Sequence, residues 1–412
     1  MNRYKFNKMN KQILFVLFLT GLLATTISFA QKTQNASGGK ITTQWIDQKL
    51  TAATKQYNYF ATQIPEGVMP RSFTKDSLRT CTSENWVAGF YPGTALFLAD
   101  ATANNALHNE AAKRVKLMAK EQHNTGTHDL GFMMFCSYGN FYKLHPTDSV
   151  KQILINSAKS LATRFNPKVG CIRSWGKRED TTEFRVIIDN MMNLELLFWA
   201  AKQTGDKSLY NIAVTHANTT LKNHFRPDYS SYHVITYNPQ TGAVMSKKTA
   251  QGYADESAWA RGQSWGLYGY TAAYRETKDK KYLDQAQRIA GFILANPNLP
   301  FDKIPYWDYN APNIPDTYRD ASSAAVMASA LLELENYSDA ALKAKYHAAA
   351  TTILLSLASP EYTAGQGSNG GFLLKHSVAH LPKNTEVDSP LPYADYYYIE
   401  AMLRYKKMLA KK

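Results

Sequence analysis

Two acids occupy stretches where water is scarce. Asp189 lies in V-I-I-D-N-M-M-N-L, behind three β-branched apolar residues and ahead of two methionines. Desolvation there raises a carboxyl pKa above its ordinary value of about 3.9. A raised pKa is what a general acid needs near neutral pH. Asn190 and Asn193 add neutral hydrogen-bonding groups beside it. Asp129, in T-H-D-L-G-F-M-M-F, also leads an apolar run and has His128 next to it. Two carboxyls facing one pocket can divide their roles, one ionised and one protonated. Helix capping, or a buried bridge between helices, accounts for each acid taken alone.

A second constellation runs from Gln251 to Tyr268, Q-G-Y-A-D-E-S-A-W-A-R-G-Q-S-W-G-L-Y. Arg261 and Trp265 are four residues apart and share one helical face, which Ala258 and Tyr268 extend. A guanidinium among apolar neighbours is costly unless a partner meets it. Beside an aromatic plate it suits an acidic sugar ring, and tied to a carboxylate it is a core strut. Trp86, in S-E-N-W-V-A-G-F-Y-P-G, opens an aromatic stretch that floors a sugar site or fills the core. His128 and His233 carry less information, since an isolated His is usually a packed or surface residue.

These residues need a frame. Apolar helical periodicity recurs at 45–63, 86–104, 106–122, 130–144, 147–165, 185–204, 206–223, 257–277, 279–295, 320–336, 339–358 and 393–410, twelve segments in all. Short polar turns join several of them, with Asp148, Asp206, Asp279 and Asp339 placed to cap the next helix. WAAKQTGDKSLY and TAAYRETKDKKYL form a weak repeat of helical hairpins. The hairpin spacing is too long for tetratricopeptide or armadillo arrays. Six hairpins closing into a ring fit better: an all-α fold, an (α/α)6 barrel of alternating inner and outer helices. The long connections 64–85, 166–184, 224–256, 296–319 and 359–392 are the places for function on such a scaffold. Tyr232 to Tyr237 reads as a short strand.

The first thirty residues read as a secretory signal. Arg3, Lys5, Lys8 and Lys11 precede an apolar run from Ile13 to Ile27, and Ser28-Phe29-Ala30 offers a cleavage site ahead of Gln31. The expected organisation is a leader, 1–30, and one catalytic domain, 31–412, working in the periplasm or outside the cell. No later run is long enough for a stable membrane insertion. The chain has 47 Lys and Arg against 33 Asp and Glu. The excess is scattered without a basic stripe, which argues against a nucleic-acid partner and suits a small anionic substrate. Cys81, Cys136 and Cys171 form no CxxC pair, allow at most one disulfide, and build no zinc constellation.

The blocks NWVAGFYPG, HDLGF, VIIDNMMNLELL, QGYADESAWARGQSWGLYG, RDASSAA and GFLLKHSVAHLPKNTEVDSPLPYADYYYIEAMLRY follow one another in order from about Trp45 to Arg404. In these blocks the chain resembles the unsaturated glucuronyl hydrolases of glycoside hydrolase family 88. The resemblance implies an (α/α)6 barrel that removes 4,5-unsaturated uronic acid from the non-reducing end of lyase-generated oligosaccharides. It implies Asp189 as general acid/base and Asp129 as the second essential acid. Trp86, His128, His233, Gln251, Arg261 and Trp265 would then surround the unsaturated sugar. The chemistry needs no metal or organic cofactor, and the partners are anionic unsaturated oligosaccharides.

One departure stands out. Members acting on sulfated glycosaminoglycans can carry Ser-x-x-Ser-x-Lys in the late loop. Here Lys375 is present, where the resemblance would make it a leaving-sugar contact, but Gly370 and Leu373 stand at the serine positions. Sulfate recognition of that kind is not expected. Two other readings compete: a non-catalytic carbohydrate-binding protein on the same barrel, and a sugar epimerase or isomerase. The retained Asp129 and Asp189 count against the first, and the scattered histidines against the second.

Overall fold

Helices that bury every face alternate along the chain with helices that bury one. The computed structural model describes residues 39–411, so the expected leader lies outside the described residues. Of the chain's two units, Met1–Ile41 and Thr42–Lys412, the second contains nearly all of the described residues. The second holds twelve α-helices among the described residues: α1 (Thr43–Gln63), α2 (Phe90–Thr102), α3 (Asn105–Leu117), α4 (Asn140–Leu144), α5 (Asp148–Ala162), α6 (Leu194–Thr204), α7 (Lys207–Asn223), α8 (Ala260–Thr277), α9 (Lys280–Ala295), α10 (Ala321–Leu334), α11 (Ala340–Leu357) and α12 (Pro392–Leu409). A π-helical stretch, Gly131–Gly139, runs directly into α4.

The odd and even helices differ as the alternation demands. All of α10 is buried, and α8 is buried from Ala260 to Ala273. By contrast α3 buries only Leu107, Ala111, Arg114 and Val115. A helix apolar all round belongs inside, and a one-sided helix belongs outside. The even helices pack in the order α2, π-helix with α4, α6, α8, α10, α12 and back to α2, which closes an inner ring of six. The odd helices lie against them outside. This is the expected (α/α)6 barrel, with closure now visible in the packing. None of the described helices is long and apolar enough to cross a membrane.

Three of the four expected Asp caps are in place, with Asp206, Asp279 and Asp339 each accepting a backbone N–H of α7, α9 and α11. At α5 the cap is Thr147, whose hydroxyl accepts from Val150 N, and Asp148 is the first helical residue. The stretch 185–204 is not one helix. Four short strands precede it, β1 (Met69–Thr74), β2 (Ser77–Cys81), β3 (Phe165–Asn166) and β4 (Cys171–Ile172). The stretch itself opens as strand β5 (Phe184–Ile187), passes through a 3-10 turn (Ile188–Asn193) and only then becomes α6. Its β-branched run finds a backbone partner far along the chain. β5 pairs antiparallel with β6 (Val234–Tyr237), and β6 with β7 (Val244–Lys248). The expected strand at Tyr232 to Tyr237 is thus the middle of a three-stranded sheet. All three cysteines are free thiols.

The inner helices all start at one end of the barrel. Trp86, Asp129, Asp189, Arg261, Asp320 and Tyr393 each stand at or just before the start of an inner helix. At the far end a separate cavity of ≈ 360 Å³ is lined by Glu195, Tyr268, Arg275, Glu400 and Arg404. There Arg275 pairs with Glu195, Glu276 and Glu333, while Arg404 pairs with Glu333 and Glu400.

Close approach of two inner elements depends on missing side chains. A Cβ on Gly89 would lie 2.2 Å from Met133 O, and one on Gly93 2.3 Å from Cys136 O. Gly93→Ala therefore forces α2 off the π-helix. A loss of about 1–3 kcal/mol is expected, read as a lower Tm in thermal unfolding.

Candidate active site

Six of the expected site residues line one cavity of ≈ 400 Å³ at the inner-helix starts: Trp86, His128, Asp129, Asp189, Gln251 and Arg261. Asp189 comes off the end of β5 in the 3-10 turn, held there because Asn190 is fully buried and donates to Ile172 O at 2.9 Å. The Asp189 side chain is 12% exposed, and its Oδ2 is buried without a hydrogen-bond partner. Burial pushes its carboxyl up to about 7, against the pull of the Arg261 cation and with a further push from the Asp129 charge.

Asp129 precedes the π-helix. Its Oδ2 accepts from Thr127 Oγ1 at 3.3 Å, and its Oδ1 lies 3.3 Å from His128 Nε2. Burial lifts this carboxyl to about 7 as well, opposed by hydrogen bonds from Thr127 and Asn193 and by Arg164. Asn193 Oδ1 accepts from Phe132 N at 2.9 Å, so the neutral amide seen beside Asp189 also ties the two acid-bearing turns together. His128 is held down to about 3 by burial and by the Arg164 cation, and so stays neutral.

Arg261 lines the cavity, yet its terminal nitrogens are spent on the protein. Nη1 donates to Asp320 Oδ2 at 2.9 Å and to Val378 O, and Nη2 donates to Ala379 O at 2.7 Å. The guanidinium lies over Trp259 and Tyr393, 4.7 and 5.3 Å from the ring centroids. Its Nε–H is buried and has no partner among the described residues. Asp320, from RDASSAA, is itself fully buried and caps α10 through Ser322 N. Gln251 reaches the same wall, with Nε2 donating to Ala379 O at 2.7 Å. The residues that sequence spacing suggests for a sugar thus also brace the segment 378–379 over the cavity.

Three expected residues stand elsewhere. Trp265 is fully buried behind the cavity, packed on Phe132 and Tyr397 at 5.1 and 5.6 Å. His233 lies behind Asp189, with Nε2 3.7 Å from Asp189 Oδ2. Lys375 does not line the cavity, and its Nζ donates to Pro360 O at 2.9 Å.

Other lining residues escaped the sequence reading. Trp175 and Tyr393 supply aromatic walls, and Arg71, His380, Lys383 and Glu386 supply the polar rim. Tyr393 sits beside Trp86 at 4.9 Å with the planes at 32°. It begins an inner helix, a position that the pattern of the other five could have flagged. Arg71 bonds Glu386 across 315 residues, Nε to Oε1 at 2.6 Å, and nothing local in the sequence announces that pair. No group of three or more His, Cys, Asp or Glu suited to a metal ion occurs among the described residues.

A half-open, aromatic-walled cavity with two protonatable carboxyls can hold one sugar ring and pass it a proton. Comparison with known proteins agrees. Residues 53–286 match the model of Glycosyl Hydrolase Family 88. An unsaturated glucuronyl hydrolase of Formosa agariphila is 45% identical over 83% of this chain and 86% of its own. The crystal structure of an unsaturated glucuronyl hydrolase specific for heparin superposes with a TM-score of 0.85 at 46% identity, over 89% of this chain and 98% of that one. A Streptococcus agalactiae unsaturated glucuronyl hydrolase variant, solved with dGlcA-GalNAc6S, gives a TM-score of 0.77 at 28% identity, covering 90% and 94%. The chain belongs to Glycosyl Hydrolase Family 88.

Proposed function

We propose that the protein is an unsaturated glucuronyl hydrolase, which removes 4,5-unsaturated uronic acid from the non-reducing end of lyase-generated oligosaccharides. The observation that carries this reading is the Asp189 carboxyl, secluded in a cavity of sugar size with Asp129 beside it. The C4=C5 bond of the substrate is a vinyl ether. Asp189, protonated, gives its proton to C4, and positive character develops at C5 and the ring oxygen. Asp189, now ionised, takes a proton from the water that adds at C5. The hemiketal opens to a ketone, and the glycosidic bond breaks with release of the leaving sugar. No carboxylate attacks the anomeric carbon, unlike the usual two-carboxylate scheme.

Asp129 orients the sugar hydroxyls and raises the proton affinity of Asp189. Trp86 and Trp175, each partly exposed in the cavity lining, offer faces to the flattened ring. The starts of the inner helices turn their positive ends toward the cavity, which favours an anionic substrate. The basic start and apolar run of residues 1–30 support export from the cytoplasm as part of the same proposal.

Turnover of an unsaturated disaccharide in heavy water, followed by NMR, tests the chemistry. Deuterium at C4 of the keto product is expected, and Asp189→Asn abolishes turnover while folding normally. Unchanged vinyl absorbance across glucuronyl and galacturonyl disaccharides would rule the reading out. The pH dependence follows from the raised carboxyl. The acid must hold its proton, so kcat is full below about 7 and falls as pH rises through it. A fall centred near 4 would contradict the assignment of the acid.

Stability moves the other way. The Asp189 pKa rises on folding from 3.8 to about 7, so the fold is penalised as pH climbs through that window and the penalty is complete above it. An Asn at 189 carries no such penalty. Asp189→Asn is therefore expected to melt on the order of a few degrees higher than wild type at pH 8, with the gap closing toward pH 4.

A further inference from the structure

His233 is built against the acid rather than into the cavity. Strands β5 and β6 end with the pair Ile187 and Val234, and Ile188 N donates to His233 O at 3.1 Å, one step beyond. That extension sets His233 beside the turn carrying Asp189. The imidazole is fully buried, tilted at 32° against Trp259 at 4.4 Å and edge-on to Trp175 at 5.6 Å. Its Nδ1 accepts from both Ala250 N and Gln251 N, each at 3.2 Å. A ring nitrogen that accepts two backbone N–H groups carries no proton, so the neutral ring has its proton on Nε2. Nε2 lies 3.7 Å from Asp189 Oδ2, and both atoms are buried with no hydrogen-bond partner among the described residues.

We propose that His233 is a positioning residue whose Nε2–H keeps Asp189 Oδ2 as an acceptor, so that the acid's proton resides on Oδ1 and is delivered from there. This rests on the reading of Asp189 as general acid. Oδ2 is buried while the side chain as a whole retains 12% exposure, so the exposed edge lies elsewhere on the carboxyl group or its stem. The same oxygen then serves both halves of the reaction. Oδ1 gives its proton to C4 and later takes one from water, while Oδ2 stays on the imidazole. The contact is long in the resting site and tightens as charge develops on the carboxylate. His233 does not take the proton itself. Burial, with Arg261, His380 and His224 nearby, holds its pKa well below the ordinary range. The groups that face Asp189 are Arg261, Asp129, Tyr393 and this imidazole.

Two variants of the full chain separate the roles, assayed on an unsaturated disaccharide. His233→Asn keeps an acceptor near Ala250 and Gln251 but has no donor that reaches Asp189. His233→Gln places an N–H close to the Nε2 position. His233→Asn is expected to lower kcat on the order of 100-fold with KM changed less than about threefold, and to move the falling limb of kcat to higher pH. His233→Gln should recover on the order of tenfold of that loss. A raised KM with unaltered kcat would make His233 a substrate contact and overturn the proposal. Equal losses in both variants with an unmoved pH limb would overturn it too, in favour of a purely structural ring. Nitrogen-15 NMR of the wild-type imidazole needs no variant: the Nε2–H tautomer is expected across neutral pH, and the Nδ1–H tautomer contradicts the proposal. Absence of wild-type turnover would count against the activity itself and leaves the tautomer measurement standing as its own test.

Discussion

Desolvation of one carboxyl is the constraint around which the barrel is arranged. Asp189 sits among the starts of six inner helices, and positive helix ends favour the ionised form of a nearby acid. Each such end is worth about 0.3–1 kcal/mol on a neighbouring charge and falls off within a turn. Moving a carboxyl from 3.8 to about 7 takes several times that amount. Burial therefore wins. It wins although Arg261 is near, because the guanidinium already serves Asp320 and the carbonyls of Val378 and Ala379. A cation with such partners exerts less pull on a third group than a free one does.

The same bonds explain why the cavity keeps its shape. Arg261 from α8 and Gln251 from the preceding loop hold Ala379 O from two sides, so the late segment is fixed over the acids. Asp320 completes the strut while capping α10. Bracing does not use up the whole of Arg261. Its ends brace the wall, its Nε–H remains unsatisfied, and its face lies over Trp259 and Tyr393. The opposite end of the barrel uses its arginines differently. Arg275 and Arg404 meet four glutamates there and hold the helix ends together.

The helical frame was legible because burial writes itself into periodicity. ASSAAVMASALLEL leaves no charged face to solvate, so α10 had to be inside, and twelve periodic segments in which buried and one-sided helices alternate imply a ring. What periodicity does not carry is a partner far along the chain. Val186 and Ile187 suit helix or strand locally, and the choice is made by Ile235 and Val234, almost fifty residues later. The site divides the same way. Asp129 and Asp189 announced themselves through their apolar flanks. Lys383 on the rim and Arg71 with Glu386 did not, because the fold alone brings them there. Lys375 shows the converse, a suggestive position in the sequence whose ammonium goes to Pro360 O.

Everything in the site depends on the Asp189 carboxyl holding its proton up to about pH 7. Infrared difference spectroscopy of wild type against Asp189→Asn reads this directly, through the carbonyl stretch of a protonated carboxyl. A band present in wild type, missing from the variant and lost with a midpoint near 7 is the expected result. A band already gone above about 4, the range of an ordinary aspartate, would show that burial does not hold the proton on Asp189.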